Sequence, residues 1–259
     1  MANSFHFNDI DFSGASYGAS KVRGLIPWAA PVSAATTPIA RGDGAVMAAS
    51  TFGPRAIEFS VIVEGTSATD LKTKLDAIAV ALNERADCVL KFDYISTRYW
   101  NARFLGLDAS LVNACTAQLA LSFVASDPFA YAVTGSTDNS NTITLVAGDT
   151  VTVTVGGTAF AYPTLVFTAN ATITQVVIEN DATDDRLEWT GTLASGDALR
   201  VNCDPRTLLV EKKPSGGEYA ASMSGVEGRH PYFLPNTDTD LIIYGFTGTL
   251  DISWRNRFL

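Results

Sequence analysis

The chain has 259 residues, 47% of them hydrophobic and 17% charged, with a formal net charge of -9. A chain of that length and apolar content buries enough surface to fold without disulfide or metal staples, which excludes disorder along most of it. Residues 1–133 hold 10 basic and 12 acidic side chains and the remainder 8 and 15; with no Lys/Arg cluster there is no counterion release to gain from a phosphate backbone, so direct nucleic-acid recognition is not expected.

In chain order, Ala29 to Pro54 comes first. It is rich in Ala, Thr, Gly and Pro, shows almost no periodicity, and reads as a long loop or extended arm. Ile57 to Glu64 alternates, with Ile57, Phe59, Val61 and Val63 on one side, as a half-buried strand does. A helix is expected near 67–85. Ser67-Ala-Thr-Asp70 reads as a capping box, in which the serine oxygen takes an orphan amide and the acid reaches back to the serine amide. Leu71, Leu75, Ile78, Ala79 and Leu82 form its apolar stripe, Lys72, Asp76 and Glu84 lie off it, and Arg85 suits the negative pole of the dipole. Strands are expected at 88–94, 98–105 and 116–124.

Ser126-Asp127-Pro128 then breaks regular structure ahead of a polar run, Gly135 to Asn141. Proline restricts the residue before it and cannot extend a ladder, so Asp127 and Pro128 are the expected inter-domain hinge, dividing the chain into 1–130 and 131–259. The second part is dense in strand signals. Asp149 to Val155 alternates valine with threonine, and further strands are expected at 141–146, 162–168, 172–179, 186–190, 198–202, 208–211, 241–246 and 248–255. Many short strands with no helical pattern between them make an antiparallel sandwich. In the last strand Trp254 keeps phase with Leu250 and Ile252, which points it into the core.

Chemistry is sparse. No stretch approaches the ~20 apolar residues of a membrane helix; the nearest, Leu25 to Ala35, holds two prolines and begins too late for a secretory signal. Cys88, Cys115 and Cys203 have neither disulfide-framework nor metal spacing, and read as small core residues in a reducing cytoplasm. His6 and His230 lack a partner motif for nucleophilic catalysis, and no glycine-rich phosphate loop occurs. Asp181, Asp184 and Asp185 read as a solvated turn, Arg41-Gly42-Asp43 as a chance triplet. Trp189 and Tyr232 are candidate sugar-stacking aromatics, while Trp28 and Trp100 have no assigned place. No cofactor or metal is implied, and no carboxylate pair is nominated for glycoside hydrolysis.

Four segments together resemble the distal tail protein family of long-tailed bacteriophages with flexible, non-contractile tails. They are Phe123-Val-Ala-Ser-Asp-Pro-Phe-Ala-Tyr131, Gly157-Thr-Ala-Phe-Ala-Tyr-Pro-Thr-Leu165, Leu193-Ala-Ser-Gly-Asp-Ala-Leu199 with Leu208-Leu-Val-Glu211, and Leu250-Asp-Ile-Ser-Trp-Arg-Asn-Arg-Phe-Leu259. The resemblance implies a mainly β protein. A tail-tube-like β domain with one helix (1–130) would form a six-fold ring, and a galectin-like or carbohydrate-module-like sandwich (131–259) would project outward. It also implies a non-enzymatic virion component, made in the bacterial cytoplasm, that joins the tail tube protein to the tail-tip hub protein. DNA would pass through its lumen without specific binding or membrane insertion. Asn236-Thr-Asp-Thr-Asp240 stands where a Pro-Gly-type turn is expected, and the arm has no counterpart. With exposed edges inviting pairing, Thr36, Thr37, Pro38 and Ile39 are the candidate contacts of an oligomer arm. The alternative is a carbohydrate-binding module for host-surface glycans.

Overall fold

The computed structural model describes residues 3–24, 29–39, 43, 45–133 and 138–259. They divide into two compact units, Met1–Val133 with Leu259, and Thr134–Phe258.

Unit 1 contains β1 (Phe5–Phe7), β2 (Ile10–Asp11), β3 (Ala19–Arg23), β4 (Val32–Pro38), β5 (Ala45–Phe52), β6 (Arg55–Glu64), α1 (Ala68–Leu82), β7 (Cys88–Phe92), β8 (Arg98–Asn113), β9 (Thr116–Ala125) and β10 (Ala130–Ala132). The main sheet runs β2-β1-β7-β8-β9-β6-β3, with β10 also pairing β8. The sixteen-residue β8 serves two partners: residues 99–102 pair with β7 and residues 103–113 with β9. Phe59 of β6 nevertheless meets Phe5 of β1 and Phe92 of β7, at ring-centroid distances of 5.1 and 4.9 Å, although these strands are not neighbours in the sheet. The sheet must therefore curl until its two ends face each other. A cluster of phenylalanines (Phe5, Phe7, Phe12, Phe92 and Phe123, none more than 1% exposed) fills the fold. Edge-to-face pairs of this kind add about 0.5–1.5 kcal/mol beyond the buried area.

Helix α1 packs near β6, and its start differs in detail from expectation. Ser67 Oγ accepts the Asp70 amide at 3.1 Å, but the Asp70 carboxylate takes the Thr66 amide (2.7 Å) and hydroxyl (3.1 Å), one residue before the expected donor. Leu71, Ile78 and Leu82 are 2%, 1% and 0% exposed, whereas Leu75 is only half-buried and Ala79 is exposed. The buried stripe is narrower than five positions because the helix is covered along one side only. The helix stops at Leu82, so Arg85 lies beyond its last turn. Gly65 joins β6 to α1 where a Cβ would sit 2.6 Å from the Leu71 nitrogen, a contact only glycine avoids.

The expected loop at 29–54 is largely regular. β4 and β5 form a two-stranded antiparallel ribbon in register from Val32↔Phe52 to Pro38↔Ala45, with a bulge after Ala35. No alternation announced it because Val32 to Thr36 and Ser50 to Phe52 are all exposed, leaving neither face to be marked by apolar residues. β1, β2, β3 and β10, each five residues or fewer, also carry no usable period in the sequence.

Unit 2 contains β11 (Asp138–Leu145), β12 (Asp149–Val155), β13 (Thr164–Ala169), β14 (Ile173–Asn180), β15 (Asp185–Leu193), β16 (Ala198–Asn202), β17 (Leu209–Lys213), β18 (Ala220–Ala221), β19 (Val226–Gly228), β20 (Thr237–Tyr244) and β21 (Gly248–Arg255). Two antiparallel sheets, β11-β21-β13-β16-β17-β18 and β12-β20-β14-β15-β19, bury one shared core. Val151, Val153 and Val155 point into it from one sheet, Leu165, Phe167, Leu250 and Ile252 from the other, and Trp254 follows at 9% exposed. Asn236 to Asp240 is not a substitute turn: β20 begins at Thr237, and Thr239 is fully buried. Of the cysteines only Cys203 is core, its thiol pKa raised by burial; Cys88 and Cys115 are half-buried. Among the described residues no helix is long and apolar enough to cross a membrane.

Candidate functional site

The ribbon stands apart from the main sheet of unit 1. Its base is closed by the Gly53 amide bonding the Pro31 carbonyl (2.8 Å) and by Phe52 set edge-on to Phe129 at 5.2 Å. Beyond that base it pairs with no other strand among the described residues. Val32, Ile39 and Phe52 are 62%, 44% and 48% exposed, and Thr36 is exposed as well. Thr37 and Pro38 hold the last rungs of β4. A two-stranded ribbon is marginal in water by itself, and one that shows apolar side chains gains stability when another surface covers it.

Asp127 and Pro128 lie inside unit 1, in the turn between β9 and β10, and the division between units falls after Val133. Asp127 accepts the Phe129 amide at 3.3 Å and the Tyr131 hydroxyl, so it closes its own turn, and Pro128 is buried beside it. Leu71, Ile78 and Leu82 form the helix contact, with Leu75 at its margin.

The two candidate stacking aromatics part company. Trp189 is 2% exposed, its indole N–H donating to Ser222 Oγ at 3.1 Å, so neither ring face is open to a sugar. It points inward because Leu187, Trp189 and Leu193 share the core side of β15. Tyr232 is half-buried and packs edge-on at 5.1 Å against Phe160, which is 46% exposed. Trp100 is core at 3% exposed, while Trp28, Arg41 and Gly42 fall outside the described residues.

His6 Nε2 lies 3.0 Å from Asp93 Oδ1, tying β1 to the segment after β7. His230 is half-buried, and desolvation lowers its pKa. Asp181 and Asp184 are exposed, but Asp185 is 7% exposed at the first position of β15 and is not part of a solvated turn. Among the described residues no cluster of His, Cys, Asp or Glu could hold a metal ion.

Two features of unit 2 had no signal in the linear sequence. On β12 and β20, Thr152 and Thr154 donate their hydroxyls to Asp240 (2.6 Å) and Asp238 (2.8 Å), and Thr142 does the same to Asp251 (2.6 Å) on the other sheet. A recess of about 300 Å³ opens on the outer face of β13, β16 and β17, walled by Tyr219.

No protein-family model and no curated protein sequence matches the chain. Solved structures do. The Dit protein (gp 19.1) of phage SPP1, described as a paradigm of the hub adsorption apparatus in phages infecting Gram-positive bacteria, is 18% identical with a TM-score of 0.78, covering 100% of both chains. A chain of the phage P2 baseplate in its activated, calcium-bound conformation is 10% identical with a TM-score of 0.50, over 99% of this chain and 98% of that one. The chain therefore shares its fold with SPP1 Dit along its whole length, through both units.

Proposed function

We propose that this chain is a distal-tail-type structural component of a phage tail tip. Copies of it would form a ring between the tail tube protein and the tail-tip hub protein, with the genome passing through the lumen during ejection. The observation that carries this reading is the likeness to SPP1 Dit over the full length of both chains, since a shared sheet fold alone would align only one unit. Unit 1 is the ring-forming part and unit 2 the part that projects outward. The ring itself is held by self-association, and the ribbon β4–β5 is the element that neighbouring copies complete, with Thr36, Thr37, Pro38 and Ile39 at its far end. Exposed apolar side chains on an uncovered pair of strands support that role. A stable ring needs about 1,000 Å² or more buried per neighbour, more than a compact edge strand supplies and within reach of a ribbon laid across the next copy. The protein is made in the bacterial cytoplasm, resides in the virion tail tip and carries out no catalysis. Residues 1–133, which would line the lumen, hold 10 basic and 12 acidic side chains, a near-neutral balance that suits a wall that lets nucleic acid pass without holding it.

The test is size-exclusion chromatography with light scattering, followed by negative-stain microscopy, on the full chain and on a variant lacking Thr36 to Thr51. The full chain should form rings, and the variant should remain folded and monomeric. An unchanged oligomer in the variant removes the ribbon from the interface. A full chain that stays monomeric even with the hub protein present, and is absent from virions, removes the whole reading.

A further inference from the structure

Unit 2 presents an ordered polar surface on the outer side of one sheet. Leu165, Phe167, Leu199, Val201 and Val210 all face the core, so the alternate positions of β13, β16 and β17 face out. Register places them in two rows across three strands. Val166, Arg200 and Glu211 make one row, and Thr168, Ala198 and Lys213 the next. The second row floors the recess of about 300 Å³, with Ser215, Gly216 and Tyr219 at its sides.

The walls are fixed before any ligand arrives. Asp197 Oδ2 accepts the Ala194 amide and Oδ1 the Ser215 amide, both at 3.0 Å, so a single carboxylate ties the turn before β16 to the turn after β17. The Arg200 guanidinium lies 4.0 Å from the centre of the Tyr219 ring and is held from its other side by Glu211, at 2.7 Å from Nε and 2.5 Å from Nη2. Tyr219 is thereby braced by Arg200, and preorganisation of this sort lowers the ordering cost of binding.

The charges do not cancel. Arg200 is matched by Glu211, and Lys212 by Asp197 at 3.2 Å. Lys213 has no carboxylate within ion-pair distance among the described residues; its ammonium lies 5.4 Å from the Tyr219 ring centre. The recess thus offers one unmatched cation, the hydroxyls of Thr168 and Ser215, an apolar floor at Val166 and Ala198, and an aromatic side. At the low end of ligand-pocket volumes it takes one ring, not an extended chain.

We propose that this recess binds an acidic pyranose, a single sugar ring bearing a carboxylate. Lys213 meets the carboxylate, Thr168 and Ser215 meet ring hydroxyls, and the C–H face of the ring lies toward Tyr219. The recess is built wholly within unit 2, so its occupancy does not depend on ring assembly. It also replaces Trp189, whose burial removes it from any sugar surface.

Glucuronate, glucose and acetate are titrated separately into the full-length ¹⁵N-labelled protein, following the amides of Ser215, Gly216 and Lys213. Glucuronate should perturb these amides saturably and bind about ten-fold or more tightly than glucose, the increment of one charge-assisted hydrogen bond. Lys213→Met should erase that preference and Lys213→Arg retain it, with melting temperatures of both matching the parent because Lys213 is only half-buried. Failure of glucuronate to bind, equal affinity for glucose, equal affinity for acetate, perturbation centred elsewhere, or an unchanged preference in Lys213→Met each overturns the assignment.

Discussion

Replacing Leu82 and Leu75 of α1 separately by alanine measures how the helix is seated. Leu82 is 0% exposed, so its truncation loses the transfer energy of the removed atoms and leaves a cavity, a total of about 2–5 kcal/mol. Leu75 sits at the margin of the contact, where the space left is open to water and no closed cavity forms. Its loss should be about 1–2 kcal/mol, the area contribution alone. Val80 is 79% exposed, and Val80→Ala should change stability by less than about 0.5 kcal/mol. With a urea m-value of about 1–3 kcal/mol/M, Leu82→Ala should lower the midpoint of unit 1 by about 1–2 M. Hydrogen–deuterium exchange of the peptide covering residues 68–82, followed across the urea series, assigns the transition to the helix. A Leu75→Ala loss equal to that of Leu82→Ala would refute the one-sided seating. A Leu82→Ala loss below about 1 kcal/mol would refute the burial itself.

Gly228→Ala should destabilise unit 2 by about 1–3 kcal/mol, because Gly228 holds a φ of 92° and a Cβ there would lie 2.1 Å from the Arg186 carbonyl oxygen across the β15–β19 pairing. Thermal melting checks this, and a change below about 0.5 kcal/mol would contradict it. Acid should weaken unit 2 partly through Asp197. The amides of Ser215 and Ala194 hold its carboxyl pKa below the ordinary value, so its stabilisation is complete above the unfolded pKa of about 3.9 and drains away as pH falls through the lower folded value. Urea midpoints at pH 7 and pH 3 should converge more closely in Asp197→Asn than in the parent; parallel pH dependence in the two proteins would show that Asp197 contributes nothing.

Long alternating segments were legible in the sequence. Val151, Val153 and Val155, or Leu250, Ile252 and Trp254, mark a buried face every second residue, and the structure seats them accordingly. The helix was legible from Ser67 and its leucines, though the margin at Leu75 was not, since periodicity gives the direction of a side chain and not the depth of what covers it. β4 and β5 were illegible for the opposite reason: both faces are exposed, so no contrast exists to read. Trp189 shows a third limit. Its indole looks equally suited to a sugar or a core, and only the shared inward side of Leu187 and Leu193 decides. The recess beside Tyr219 could not be seen at all, because Val166, Ala198, Arg200, Glu211 and Lys213 come from three strands and meet only through register.

The threonine–aspartate pairs on β12 and β20 carry a consequence for how crowded copies behave. A carboxylate that accepts from a hydroxyl has no neighbouring cation to offset its charge, unlike one matched to lysine or arginine. The sheet edge at β12, which pairs only with β20 among the described residues, is therefore bordered by aspartates with no cation beside them. Two such borders repel on approach. High local concentration then favours orderly assembly through other surfaces over stacking of sandwiches into fibres.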